Sequence, residues 1–216
     1  LDGYHISFDG ALVSSPTTGA EAYAMPLDRA LVGQMIDFSH RNGIDLELFS
    51  TTHYFSERET WSTEAHRRFF DVEATMADFS HLWQRERIIK GGLVTTKPED
   101  EAWVESFRRH FDGRLHLSRA KTPAYPDVTF INVLNPQVSK GNALIALAGY
   151  LGIAPAEVMA AGDGTNDISL LSAAGLAVAM GNAPAEVKAA ADYITLDVDH
   201  SGLAAAVRKF LLRPGS

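Results

Sequence analysis

Between Val158 and Asp167 the chain reads Val-Met-Ala-Ala-Gly-Asp-Gly-Thr-Asn-Asp, with Asp163, Asp167 and Asn166 crowded among Gly162 and Gly164. Val158 to Ala161 are apolar or small and end in glycine, which predicts a short buried strand. The two glycines bracket Asp163, so the backbone can turn sharply and leave that carboxylate exposed at the strand's end. Ile168, Leu171 and Ala174 then recur at helical spacing, predicting a helix from about Asp167. Carboxylate oxygens in such a turn suit Mg²⁺, and a helix N-terminus offers unpaired N–H groups to an anion. The chemistry to expect is a hard cation and a phosphate held side by side. An ordinary strand-to-helix turn with capping aspartates is the simpler alternative, and the density of acids, amide and glycines weighs against it.

Lys140 is the second candidate. It stands just after Ser139, which can cap a helix carrying Leu144, Leu147, Ala148 and Leu151 on its buried side and ended at Gly152. A lysine there opposes the helix dipole, a misfit that a bound anion would relieve. Asn182, after Met180-Gly181, reads as a turn residue rather than a ligand. The eight histidines show no paired metal-ligand spacing, and there is no cysteine, which removes disulfides, thiolate nucleophiles and cysteine zinc sites together.

The elements that must position these groups fall into two textures. After Pro136, continuous apolar strands alternate with amphipathic helices, the pattern of a parallel sheet covered on both faces. Leu176 to Met180 and Tyr193 to Leu196 are further strands, Ala185 to Ala191 a short helix, and Leu203, Val207, Phe210 and Leu211 mark a closing helix. The earlier part is mixed αβ with antiparallel pairing. Asp28 can cap a helix ended by Asn42-Gly43, Ile44 to Phe49 alternates as a half-buried strand, and Arg87 to Thr95 is another strand. Pro98 opens a helix carrying Trp103, Phe107 and Phe111, and Arg114 to Ser118 and Val128 to Leu134 are strands separated by a loop with Pro123 and Pro126. The segment from Ser50 to Arg87 has aromatic residues but no readable period. Near the start, Tyr4 to Phe8 and Ala11 to Val13 are short strands around an Asp9-Gly10 turn.

The totals narrow the function. A hydrophobic share of 46% with no apolar run of membrane length predicts a globular protein and no membrane span. A net charge of −8 argues against general affinity for nucleic acid. The start, Leu1-Asp2-Gly3-Tyr4, is not a signal peptide, and a cytoplasmic enzyme cut from a longer chain is the expectation. Oligomeric state is not readable.

Three motifs together resemble a known family. Val138-Ser139-Lys140-Gly141, then Gly162-Asp163-Gly164-Thr165-Asn166-Asp167, then Ala177-Val178-Ala179-Met180-Gly181-Asn182-Ala183 look like the C-terminal half of a Cof-type haloacid dehalogenase superfamily phosphatase. Ala190 to Thr195 fits as well. Tyr4 to Ala11 resembles the strand and turn before that family's inserted cap, with Asp9 where asparagine is common. The resemblance implies a parallel-sheet core, incomplete at its N-terminus, built from residues 1–16 and 133–216, with an α+β cap over 17–132. It implies a Mg²⁺-dependent phosphatase that hydrolyses a small phosphorylated metabolite of the sugar-phosphate kind through an aspartyl phosphate. Lys140 matches the lysine between nucleophile and phosphate, Asp163 and Asp167 the metal carboxylates, and Asn166 a phosphate contact.

One departure matters. The family's first motif, Asp-x-Asp-Gly-Thr after an apolar strand, is not in this sequence. Ser7-Phe8-Asp9-Gly10 is a tempting substitute and is rejected, because cap-like segments follow it at once. The expectation is that the nucleophile, the acid/base and the Ser/Thr of the second motif are absent and that these residues alone are inactive. Two rivals remain. The phosphorylation domain of a cation-pumping ATPase has a similar Gly-Asp-Gly segment, but no membrane spans flank it here. The other is a non-catalytic binding or scaffold module that keeps the fold.

Overall fold

The computed structural model describes residues 3–122 and 125–212; Leu1, Asp2 and Pro123 lie outside the described residues. The chain forms two compact units, one of Leu1–Tyr23 with Ser139–Ser216 and one of Ala24–Val138.

The first unit holds the three-stranded parallel sheet that the alternating pattern predicts. Strands β1 (His5–Ser7), β2 (Leu12–Ser14) and β3 (Glu21–Ala24) form a separate small sheet in that order, β1 and β2 being antiparallel. Helix α5 (Lys140–Leu151) precedes β10 (Met159–Gly162), α6 (Ile168–Ala173) and β11 (Leu176–Ala179). Then come α7 (Ala185–Ala189), β12 (Tyr193–Ile194) and α8 (Gly202–Phe210). Strand β11 is central, with Gly162 in register with Ala179 on one side and Ala179 with Ile194 on the other. Small side chains make these strands: Ala160, Ala177, Val178 and Ala179 are buried, and Leu144, Leu171, Ala183 and Val187 complete the cluster. Leu151, expected on the buried side of α5, is 49% exposed, as is Ile145 at 50%; α5 is apolar around most of its circumference, so periodicity does not single out one face.

The second unit is a six-stranded sheet with helices. Its strands are β4 (Glu47–Phe49), β5 (Tyr54–Ser56), β6 (Thr75–Met76), β7 (Lys90–Thr95), β8 (His116–Thr122) and β9 (Tyr125–Leu134), ordered β6-β5-β4-β7-β9-β8. All neighbours are antiparallel except β5 and β6. Helices α1 (Arg29–Asn42), α3 (Phe79–Arg85) and α4 (Glu101–His110) contribute Val32, Met35, Ile36, Phe79, Val104 and Phe107 to a core shared with Leu48, Leu93 and Ile131 from the strands. Asp28 caps α1 through the Leu31 N–H at 2.9 Å, as its position predicts. The unreadable stretch becomes β5, α2 (Trp61–Phe70), β6 and α3. Its elements are short and held by caps: Thr60 and Thr63 bond each other's backbone N–H at the start of α2, and Glu57 accepts from the Phe79 N–H at 3.0 Å. Pro126, expected in a loop, lies in β9 near its first residue, where a missing N–H is tolerated.

Candidate functional site

Lys140, Asp163, Asn166 and Asp167 all belong to the first unit, and the structure brings them to one place. Ser139 caps α5, its hydroxyl accepting from the Asn142 N–H at 3.0 Å, which sets Lys140 in the first turn. Gly141 lets that turn lie against α6: a Cβ there would press on the backbone carbonyl of Ser169, whose hydroxyl accepts from the Gly141 N–H at 3.3 Å. The Ser-Lys-Gly order therefore has a packing cause. A cap starts the helix, a glycine seats it, and the lysine between them is carried toward the end of β10.

There the ammonium of Lys140 meets Asp167 Oδ1 at 2.5 Å. The other oxygen of Asp167 accepts from the N–H groups of Asp163 and Gly164, each at 3.0 Å. This carboxylate folds back onto the turn that precedes it, and Gly162 makes room, since a Cβ there would stand 2.5 Å from Cβ of Asp167. Burial alone would raise the Asp167 carboxyl; the bonds from Lys140 and the two turn amides outweigh it and hold it below the usual carboxylate range. Asp167 is 7% exposed and Lys140 half-buried, so the carboxylate is the shielded member of the pair.

Asp163 contrasts with it. Its side chain is exposed and accepts one hydrogen bond, from Nδ2 of Asn182 at 3.3 Å. The turn is tighter than the sequence predicts: Thr165–Asp167 is a 3-10 turn, α6 starts at Ile168, and the Asp163 and Gly164 N–H groups are taken by Asp167. Those two N–H groups are therefore not open to an anion.

Two further residues join the site: Asp9, set aside with the Ser7-Phe8-Asp9-Gly10 segment, and Asn182. Asp9 Oδ1 accepts from Asn166 Nδ2 at 3.1 Å, carried there by a turn in which Phe8 and Asp9 have φ of 52° and 54°. Positive φ at two successive non-glycine residues is costly and needs support from the surroundings. The signal was the Asp9-Gly10 turn itself, which gives no hint that it reaches a loop 157 positions away. Asn182 was read as a turn residue, and it is one, but its amide also reaches Asp163.

Among the described residues no three of His, Asp and Glu are placed to enclose a metal ion. What is present is one open hard-oxygen donor, the Asp163 carboxylate, with the bonded Asp167 carboxylate next to it in the turn. Mg²⁺ commonly keeps several waters and takes only one or two carboxylates besides a substrate phosphate, so the set fits it. In the second unit a cavity of about 220 Å³, lined in part by Glu47, Trp61, Asp100 and Trp103, contains none of these residues. Burial and the Glu47 carboxylate push the Tyr54 phenol up; its hydroxyl donates to Glu47 at 2.6 Å.

A parallel α/β sheet that carries a lysine–aspartate pair and an open acid at one strand end has groups chemically suited to an anion and a hard cation. Residues 1–207 match the haloacid dehalogenase-like hydrolase family, and the chain belongs to it. Over 80 residues it is 45% identical to the "Phosphoglycolate phosphatase" of Methanoculleus marisnigri, a match covering 37% of this chain and 34% of that protein. Over 216 residues it is 29% identical to the "Putative phosphatase YxeH" of Bacillus subtilis, covering 97% of this chain and 76% of the relative. The chain thus spans about a third of the first relative and about three quarters of the second. The fold is that of a haloacid dehalogenase-like hydrolase from Bacteroides thetaiotaomicron, with a TM-score of 0.81 at 23% identity, covering 97% of this chain and 77% of the other. No helix among the described residues is long and apolar enough to cross a membrane.

Proposed function

We propose that the protein is a Mg²⁺-dependent phosphatase acting on a small phosphorylated metabolite of the sugar-phosphate kind. The observation that carries this reading is the sharing of one buried carboxylate, Asp167, between the Lys140 ammonium and the N–H of Asp163. That linkage supports a fixed cation and a metal-binding acid flanking the same phosphorus. Phosphoryl transfer asks mainly for positioning and neutralisation of charge on the phosphate oxygens.

In this reading the exposed Asp163 carboxylate is the direct metal ligand. Asp167, with both oxygens already bonded, supports the metal by bracing the turn. Lys140 and Asn166 hold the phosphate. When bound, Mg²⁺ would supply further positive charge to the phosphate oxygens. The phosphoglycolate phosphatase match covers 37% of this chain, so it supports phosphate handling rather than any one substrate.

The 216 residues contain no Asp-x-Asp-Gly-Thr, so the aspartyl-phosphate route has no attacking group within them. A polypeptide of these residues alone is expected not to hydrolyse p-nitrophenyl phosphate. Mg²⁺-dependent turnover by the pure, mass-verified chain, abolished by Asp163→Ala, would overturn that expectation. The alternative is a binding module that keeps the fold without the chemistry. Joining a strand that ends in Asp-x-Asp-Gly-Thr separates the two: restored hydrolysis supports the phosphatase, and continued inactivity of a folded product supports the module.

A further inference from the structure

Strands β10, β11 and β12 end in three successive turns, and one side chain reaches all of them. Asn182 lies in the turn after β11. It donates Nδ2 to Asp163 Oδ2 at 3.3 Å in the turn after β10, and its Oδ1 accepts from the Val198 N–H at 3.1 Å beyond β12. A peptide N–H can only donate, so the Val198 bond fixes the amide oxygen toward itself and leaves the amide nitrogen facing Asp163. The third turn is itself braced, with Asp197 accepting from the His200 N–H at 2.9 Å and its carboxylate 2.6 Å from the His200 ring. The orientation of Asn182 is thus set from the side away from Asp163.

We infer that Asn182 is a positioning residue for the metal-binding carboxylate: it holds one oxygen of Asp163 and turns the other outward to a divalent cation. The inference rests on the proposed role of Asp163 as metal ligand. An exposed aspartate has freely turning side-chain bonds, and a single anchored donor removes most of that freedom. An amide is suited to the task because it donates to the carboxylate without bringing a positive charge that would repel the metal. Carboxylates that bind metals are themselves hydrogen-bonded, and losing such a partner typically weakens metal affinity ten- to a hundredfold. If Asn182 only closed its own turn, the Val198 bond would matter and the metal would not notice its loss.

The test is Mn²⁺ binding to the 216-residue chain at millimolar metal, followed by water-proton relaxation, in wild type, Asp163→Ala and Asn182→Ala. Asp163→Ala should abolish binding, and Asn182→Ala should weaken it by about tenfold. Unchanged affinity in a folded Asn182→Ala overturns the inference and leaves the reading of Asp163 intact. Unchanged binding in Asp163→Ala, or none in wild type, overturns that reading itself. A second measurement needs no variant: Mg²⁺ is titrated into wild type and the side-chain amide resonances of Asn182 are followed. Movement with the same midpoint as the Asp163 backbone amide supports the inference; a fixed Asn182 amide beside a moving Asp163 overturns it.

Discussion

Asp167 divides its two oxygens between a lysine and a turn, and the consequences can be separated by substitution. Asp167→Ala leaves the partly buried Lys140 ammonium without its partner and frees the turn amides; a loss of about 3 kcal/mol in the unfolding of the first unit is expected, measured by denaturant titration. Asp163→Ala removes an exposed side chain, so stability should change by less than about 0.5 kcal/mol while Mn²⁺ binding disappears. A large stability loss there would make Asp163 a structural residue. The pH dependence follows from the depressed Asp167 carboxyl. A group whose folded value lies below its unfolded value of about 3.9 contributes stability that is complete above that value and lost as pH falls through the folded one. Asp167→Asn should accordingly flatten the acid side of the stability profile below about pH 4. An unaltered acid limb would show that other carboxylates govern it.

At the scale of elements, the turn after β10 works because a glycine yields to the side chain that folds over it. Gly162→Ala would place a methyl against Asp167. Overpacking of this kind costs about 1–3 kcal/mol, and a thermal melt unchanged from wild type would mean that the carboxylate can move aside. The sheet makes a second demand. Among the described residues β10 pairs only with β11, leaving its other side without a strand. Open strand edges invite association, so the 216-residue chain is expected to self-associate as concentration rises in sedimentation experiments. A monomer throughout the millimolar range would count against this.

For the whole molecule, the two units have separate apolar clusters, Leu144, Leu171 and Val187 in one and Val32, Leu93 and Phe107 in the other. The second unit is also one continuous stretch, Ala24–Val138. It should fold when expressed alone, with Leu93→Ala lowering its stability by about 2–5 kcal/mol. A non-cooperative melt of the isolated stretch would show that it needs the rest of the chain.

Much of the local structure was open to reading from the residues. Asp28 and Ser139 announce their helices because a cap is a contact within a few residues. The strand, glycine turn and acids at Val158 to Asp167 are adjacent in the chain, so their chemistry shows without a fold. Ser50 to Arg87 resisted because its elements are short and lean on neighbours, as Glu57 does in holding the start of α3. Leu151 of α5 was misplaced because an almost wholly apolar helix carries no signal of which face is covered. The sequence by itself determined which groups could serve a phosphate and a hard cation, since charge and hydrogen-bonding capacity belong to side chains wherever they lie. Only the tertiary structure decided how those groups are shared out. Asp167 is spent on Lys140 and the turn, Asp163 stays open, and Asp9 and Asn182 arrive from distant turns. Such contacts depend on how strands align and helices seat, and no spacing along the chain records that.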